Sequence, residues 1–274
     1  MINKIISLIN EDHANNINFF NNIDKETPYI YNGKFVPRVT EILSSMLHED
    51  YIVNWANHLG FKRTSYKDTI QEAANKGTFT HNFIENKLKY NNDPLMDMIP
   101  LELKYDVENA YNSFLYWWNT VQENHDIYIL MQEVPLICPY FGGTLDLLMD
   151  IDDNRCLIDF KTSNYVSYKY YLQLSAYKYI LSTIYEIEVD KLMIIQFDKK
   201  GVNYCEYLLD CVNDKEYIDL CTNTFFSLLN AYYERLKCEI LFDQYGYKFI
   251  KGDENNDSKE CINWLYLYYE RNTY

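Results

Sequence analysis

The apolar run CLIDFK, residues 156 to 161, is the feature that most constrains how this chain folds. Its leucine, isoleucine and phenylalanine put apolar groups on both faces of a strand, which is typical of a central strand covered on both sides. Side chains two apart on a strand point to the same face, so Asp159 and Lys161 emerge together. Because an unpaired charge is costly in an apolar interior, such a strand predicts a partner or a function for these charges.

A second carboxylate precedes this run. Asp146 follows a Gly-Gly turn in the apolar segment GGTLDLLMDI, residues 142 to 151. Two carboxylates on adjacent strands can hold a hard divalent cation through oxygen. A lysine beside that cation can orient or deprotonate a water, or neutralise a phosphate oxygen, so the set suits metal-assisted hydrolysis of a phosphodiester. Taken alone, an Asp-x-Lys is more commonly a surface ion pair, but the covered strand favours the functional interpretation.

A helix is predicted directly after the Asp-x-Lys strand. In VSYKYYLQLSAYKYILSTIYEI, residues 166 to 187, apolar residues recur at helical spacing. Gln173 and Tyr177 lie four residues apart, which stacks an amide and a phenol on one helical face. A tyrosine-rich amphipathic helix without a site is the alternative. The position immediately after the strand favours a role in the site.

Together these motifs closely resemble the PD-(D/E)XK nuclease superfamily, in particular its RecB-like branch of DNA exonucleases. The matching segments are Gly143 to Asp146, Asp159 to Ser163, and Gln173 to Tyr177. The block KGTFTHNFIENKL, residues 76 to 88, resembles the Gly-Thr-x-x-His helix motif of that branch and adds His81. Residues 33 to 43 and the region of Trp55 resemble the N-terminal part of the mitochondrial genome maintenance exonucleases and their phage relatives, so the resemblance covers about residues 30 to 200.

The resemblance implies a metal site and a catalytic lysine. Magnesium or manganese would be held by His81, Asp146, Asp159 and the backbone carbonyl of Phe160. Lys161 would act on the water or the phosphate. The implied activity is a metal-dependent deoxyribonuclease that acts on strand ends in replication, recombination or repair.

Further residues take supporting roles in the same comparison. Gln173 and Tyr177 would support the active site and the DNA backbone. Glu133, in the strand-like run IYILMQEVPLI, matches an acidic residue often found on the first core strand and is a further catalytic candidate. Glu85 shares a helical face with His81, where it is either a partner of that histidine or a solvated helix charge.

The cysteine spacing argues against a metal cluster. Some RecB-like nucleases hold an iron-sulfur cluster with one cysteine before the core and three closely spaced ones after it. Here the first cysteine, Cys138, already lies inside the core, the later ones are scattered, and no CxxC pair occurs. We therefore expect neither an iron-sulfur cluster nor a structural zinc site, and mostly buried free thiols instead.

The order of elements predicts an α/β fold. We expect a helix over 1–22, an Asn-Gly hairpin near 28–37, helices near 39–59, 65–90 and 100–124, strands near 128–137, 143–151 and 155–161, the Gln173 helix, a strand pair turning at Lys200-Gly201, a helix near 214–240, a mobile loop over 251–260 and a closing helix over 261–272. The resemblance implies a restriction-endonuclease-like core: a central mixed sheet flanked by helices, with a helical N-terminal part. Residues 1–125 would form that helical part and 126–274 the nuclease core, packed as one unit.

Charge bears on the partner. The formal net charge of −15 opposes binding of a polyanion. Lysines do gather in residues 61–91 and 161–178, so we expect a local basic channel that binds DNA which is single-stranded or has single-stranded ends.

Heavy use of Asn, Ile, Lys and Tyr fits an AT-rich genome and a phage or viral origin. No apolar stretch is long enough for a membrane span and no secretory signal is visible, so a soluble intracellular protein is expected.

Two alternatives to an exonuclease remain open. A restriction-type endonuclease shares the Asp…Asp-x-Lys core. An inactive nuclease-fold protein that binds DNA or a partner would ordinarily have lost one of the acidic residues or the lysine, and this chain retains them all. The His81 block and the Gln173 helix favour the exonuclease.

Overall fold

The structure is a computed structural model and describes residues 29–47 and 50–250. Its elements in chain order are β1 (Tyr29–Tyr31), β2 (Lys34–Val36), α1 (Val39–Met46), α2 (Asp50–Phe61), α3 (Tyr66–Tyr90), a short 3-10 helix (Met96–Met98), α4 (Leu101–Asn124), β3 (Ile127–Ile137), β4 (Gly142–Ile151), β5 (Asn154–Lys161), α5 (Tyr168–Ile184), β6 (Lys191–Phe197), β7 (Tyr204–Asp210) and α6 (Lys215–Ile250). The helices predicted over 1–22 and 261–272 and the loop predicted over 251–260 lie outside the described residues.

The centre of the fold is a five-stranded mixed sheet in the order β3-β4-β5-β6-β7. β3, β4 and β5 form an antiparallel meander, and β6 and β7 form an antiparallel hairpin. β5 and β6 are parallel, and a parallel pair needs a crossover connection, which α5 supplies. The predicted α/β architecture, a mixed sheet flanked by helices with a helical part before it, is confirmed.

Each face of the sheet is covered by its own apolar cluster. On one face, Leu157 packs with buried side chains of α1, α5 and α6. On the other face, Ile158 and Phe160 pack with buried side chains of α3 and α4. The alternation along β5 therefore turns Asp159 and Lys161 towards the face that carries α5. β5 is the doubly covered central strand that its sequence predicted.

The N-terminal hairpin has the predicted turn. Asn32 and Gly33 both have positive φ, 48° and 79°, as a two-residue type I′ turn requires.

Two predicted helix bounds were wrong. The helix expected over 39–59 is two helices, because α1 ends at Met46, is followed by Leu47 in an extended conformation, and α2 begins at Asp50. The helix expected to end near 240 continues to Ile250.

Two observations bear on membrane contact and thiols. In the part of the chain that the structure describes, no helix has both the length and the apolar character needed to cross a bilayer. Of the described cysteines, Cys138, Cys156 and Cys221 are buried, whereas Cys205 and Cys238 are exposed. The expectation of mostly buried thiols therefore fits only some of them.

Candidate active site

The candidate site lies where β4 and β5 leave their regular pairing. Their antiparallel register ends at the pair of Leu147 with Ile158. Beyond this pair, the Phe160 amide donates to Oδ2 of Asp146 at 2.7 Å. A side-chain carboxylate thus accepts a backbone hydrogen bond at the point where the two strands diverge, and the acidic residues of both strands are gathered there.

Three potential metal ligands meet at this opening from three elements. His81 comes from α3, Glu133 from β3 and Asp146 from β4, and one ligand atom of each lies within 4.8 Å of the others. His81 Nδ1 is 3.9 Å from Glu133 Oε1 and 3.8 Å from Asp146 Oδ2. Ligand atoms that share a Mg²⁺ ion at about 2.1 Å lie up to about 4.2 Å apart, so these two separations suit a shared cation.

His81 is presented by a well-terminated helix. At the start of α3 the Ser65 side chain accepts from the Asp68 amide at 3.2 Å, and at its end Asn91 adopts the left-handed conformation. Burial lowers the pKa of His81, but the carboxylates of Asp146 and Glu133 outweigh it and the pKa is raised. In the metal-free protein this imidazole therefore tends to hold a proton, which a bound cation would displace.

Glu133 reaches the group through an irregular strand. The pairing of β3 with β4 shifts register between Ile129 and Met131, and Glu133 itself has φ of 49°. Next to it, the Gln132 side chain donates to the Glu85 carbonyl at 2.8 Å and ties β3 to α3. Glu85 thus contacts β3 through its backbone. Sequence reasoning left the role of Glu133 open, and the structure places its carboxylate beside His81 and Asp146.

Asp159 and Lys161 form a buried ion pair beside this group. Lys161 Nζ lies 2.6 Å from Asp159 Oδ2, and Asp159 is 2% exposed. The contact is a close, charge-assisted one between an ammonium and a carboxylate. Burial raises the pKa of Asp159 to about 6, against the lowering effect of Lys161. Burial lowers the pKa of Lys161, but Asp159 and Asp146 outweigh it and raise the pKa, so the lysine is an ammonium.

A tyrosine that the sequence motifs do not single out lies against this lysine. Lys161 Nζ sits 4.8 Å from the centre of the Tyr170 ring, on the first turn of α5. The ammonium is thus held between the Asp159 carboxylate and an aromatic face, an arrangement that attracts a cation. The contact between Lys161 and an aromatic ring has no fixed spacing in sequence, so only the fold reveals it.

Gln173 and Tyr177 lie side by side on the buried face of α5. Gln173 Nε2 donates to the Tyr177 hydroxyl at 3.3 Å, and both residues are buried. The Tyr177 ring packs against Gly143 at the start of β4. Burial raises the pKa of the Tyr177 phenol well above its ordinary value, so the group stays neutral. Tyr177, held by Gln173, thus connects α5 to the strand that carries Asp146.

The structure thus brings most of the predicted site residues together. Within the described part of the chain, His81, Glu133 and Asp146 form a group of potential ligand atoms, and Asp159, paired with Lys161, is an electrostatic neighbour of His81 and Asp146. Phe160 contributes its amide to Asp146, and its ring is buried on the opposite face of the sheet.

The lysines predicted to form a basic channel are partly neutralised. Lys76 forms ion pairs with Glu72 at 2.6 Å and with Asp106 at 2.7 Å. Lys87 pairs with Asp93 at 2.9 Å. The positive potential of α3 is therefore weaker than its lysine content indicates.

Comparisons with known proteins add little to this geometry. No protein-family model matches the sequence, and no curated protein matches it. A solved structure described as the crystal structure of SSO0001 shares 14% sequence identity, with 54% of this chain and 71% of that chain covered and a TM-score of 0.24. A likeness at that TM-score carries no argument, so the site has to be interpreted from its own residues.

Proposed function

We propose that the protein is a metal-dependent DNA exonuclease of the PD-(D/E)XK type, which hydrolyses phosphodiester bonds at strand ends during DNA replication, recombination or repair. The observation that carries the proposal is the juxtaposition of His81, Glu133 and Asp146 with the buried pair of Asp159 and Lys161. The motifs that resemble the RecB-like branch support it.

The donor atoms fit a hard divalent cation. Carboxylate oxygens with a single imidazole suit Mg²⁺ or Mn²⁺, and one ligand atom each of His81, Glu133 and Asp146 lies within 4.8 Å of the others. His81, Glu133 and Asp146 would hold it, joined by Asp159 and the Phe160 carbonyl as the resemblance implies. Such a cation polarises the phosphoryl group and lowers the pKa of a bound water.

Lys161 supplies positive charge at a fixed place. As an ammonium it donates hydrogen bonds to a phosphate oxygen and stabilises the negative charge that develops during displacement. In this state it does not accept a proton, so charge stabilisation is the role that its surroundings favour over deprotonation of water. Asp159 and Tyr170 hold the ammonium in position.

An end-acting mode agrees with the charge of the chain. A protein of net charge −15 gains little from a broad duplex surface, but it can hold a single strand through backbone contacts and base stacking. A strand that enters from its end is also cut without base readout in a groove. We therefore assign linear DNA with single-stranded ends as substrate.

The experiment is a cleavage assay on end-labelled single-stranded, linear duplex and closed circular DNA, with Mg²⁺, Mn²⁺ or EDTA. We expect progressive shortening of linear strands with either metal, little activity in Ca²⁺, a steep fall with rising salt, and persistence of closed circles. Full degradation in excess EDTA would exclude the metal mechanism. Discrete fragments from closed circles would favour a restriction-type endonuclease. The absence of any cleavage would favour an inactive nuclease-fold protein.

Variants separate chemistry from folding in the same assay. Asp146→Ala and Asp159→Ala should abolish cleavage, and Lys161→Ala should slow it by roughly 10²-fold, a usual loss for one group that stabilises transition-state charge. Asp150→Asn is the matched control, because Asp150 lies on the same strand as Asp146 but pairs with Arg155 at the far end. A folded Lys161→Ala protein that cuts at the original rate would remove Lys161 from the mechanism.

A further inference from the structure

A cavity of about 360 Å³ opens at the carboxyl ends of β5 and β6. Its walls come from the segment after β5 and from the turn between β6 and β7, and they include Ser163, Asn164, Tyr165, Lys199, Lys200 and Asn203. None of the residues proposed to hold the cation lines it. The cavity is therefore a neighbour of the candidate active site and a separate place for a ligand.

The walls of this cavity are fixed by hydrogen bonds. The Gln196 side chain donates to the Ser163 carbonyl at 2.7 Å and joins the segment after β5 to β6. The turn between β6 and β7 is held by the Asp198 amide, which donates to the Asn203 carbonyl at 3.0 Å, and by the Asn109 side chain of α4, which donates to the Lys199 carbonyl at 3.0 Å. The backbone of the cavity walls is thus preformed, which lowers the entropy lost on binding.

The side chains of the cavity have the chemistry of a nucleotide site. Tyr165 is 84% exposed and offers a ring for stacking. Asn164 and Asn203 supply amides, which can donate and accept hydrogen bonds, and Lys199 and Lys200 supply positive charge. The Asp198 carboxylate also lines the cavity, where it accepts from the Lys200 amide at 2.8 Å. The volume lies at the lower end of the range of about 300–1,000 Å³ that is common for small-molecule sites.

The cavity lies on the same strand end as the catalytic lysine. Ser163 is two residues beyond Lys161, so their Cα atoms are at most about 7.6 Å apart. α3 lies alongside this connection, since a Cβ atom at Gly77 would be 3.8 Å from Thr162 Oγ1. Gln196, the register partner of Lys161 on β6, also lines the cavity, so a strand whose phosphate lies at Lys161 has the cavity within reach of one of its bases.

We infer that this cavity takes one unpaired nucleobase of the bound strand, stacked on Tyr165, next to the phosphate that lies at Lys161. The inference deepens the proposed function and rests on it. An aromatic ring stacks on any base, so the site would select unpaired over paired DNA without selecting sequence. Duplex DNA would have to release the terminal base before its phosphate reached Lys161.

The test measures binding of a fluorescently end-labelled oligothymidine strand in Ca²⁺, with fluorescence anisotropy as the readout. The strand is compared with copies that carry one abasic residue, moved one position at a time. For the unmodified protein, an abasic residue at one position should weaken binding by roughly fivefold or more, as loss of a stacked base does. Tyr165→Ala should weaken binding of the intact strand and remove the dependence on that position, and Tyr165→Phe should preserve it.

Tyr128→Ala is the matched control, because Tyr128 is 68% exposed at the start of the opposite edge strand. It should bind like the unmodified protein. Both tyrosines are exposed, so circular dichroism and melting temperature should be unchanged in all three variants. An unchanged abasic profile in Tyr165→Ala would overturn the inference.

The cleavage assay separates this inference from the proposed function. If the unmodified protein cleaves DNA and Tyr165→Ala keeps the full abasic profile, the base cavity is excluded and the nuclease stands. If the unmodified protein does not cleave but shows an abasic profile that Tyr165→Ala abolishes, the base cavity stands and the nuclease is excluded.

Discussion

Tyr177 and Gly143 fit so closely that position 143 has no room for a side chain. A Cβ atom added to Gly143 would lie 2.4 Å from the Tyr177 hydroxyl oxygen and 2.5 Å from its Cε1 atom. This contact joins α5 to β4 three residues before Asp146. The glycine of the Gly-x-x-Asp segment and the tyrosine of the Gln-x-x-x-Tyr segment are thus two sides of one contact.

Gly143→Ala should therefore displace α5 from β4. We expect a loss of unfolding free energy of about 1–3 kcal/mol, as overpacking of a core produces, together with a clear loss of nuclease activity. Urea denaturation and the end-labelled assay measure the two effects. Gly60→Ala is the control, because nothing lies within 4 Å of a Cβ there. Adding Tyr177→Ala should make the combined loss smaller than the sum of the single losses, and strict additivity would argue against the contact.

The metal affinity should depend on His81 and Glu133. His81→Ala and Glu133→Gln should each weaken Mn²⁺ binding by about tenfold or more. Loss of a residue that only hydrogen-bonds to a metal ligand already weakens binding by about that factor. Isothermal titration calorimetry measures this without any need for activity, with Asp150→Asn as the control. Unchanged affinity combined with a large fall in melting temperature would assign His81 to the core instead.

The Tyr170 ring should influence the rate through Lys161. Tyr170→Leu removes the aromatic face and should lower the single-turnover cleavage rate by about 3- to 10-fold, within the range of a cation–π contact. Tyr170→Phe keeps the face and should cleave at the original rate. Saturating metal and DNA isolate the chemical step from binding. Equal rates in the phenylalanine and leucine variants would show that the ring does not act on the lysine.

Asp159 should make the metal-free protein less stable as the pH rises. Its pKa is raised from 3.8 to about 6 by burial, so between these values the folded state holds a proton that the unfolded state has lost. The unfolding free energy contributed by Asp159 is therefore present at low pH and is lost as the pH rises through about 6.

Urea denaturation in EDTA across this window tests the expectation. The stability of Asp159→Asn relative to the unmodified protein should increase from pH 4 to pH 6, because the amide does not titrate. Lys161 keeps Asp146 as a charged neighbour in this variant. Saturating Mg²⁺ should reduce the effect, since a nearby cation favours the ionised carboxylate. A relative stability that is flat with pH would contradict the assigned burial.

Local patterns predicted much of the sheet and of its charged residues. The run of residues 156 to 161 is apolar on both faces and lies at the centre of the sheet, and Asn32-Gly33 forms the hairpin turn. The resemblance to the RecB-like branch put His81 forward beside Asp146, and the fold places His81 Nδ1 3.8 Å from Asp146 Oδ2. The covered strand and the hairpin turn depend on a few consecutive residues, which is why the sequence alone predicts them.

The remaining features depend on contacts between distant segments. The position of Glu133 follows from a left-handed residue and a register shift in β3, neither of which has a local sequence signal. Tyr170 meets Lys161 only because α5 returns over the sheet. The end of α1 at Met46, where Leu47 turns extended, was missed.

The left-handed backbone of Glu133 has a consequence for redesign of this protein. A residue with a Cβ atom is disfavoured in that conformation by roughly 1–2 kcal/mol, and glycine removes this strain. A procedure that ranks substitutions by thermal tolerance alone would thus favour Glu133→Gly and would delete a carboxylate from the metal group. The most heat-resistant variants selected in that way should include ones that no longer bind the metal.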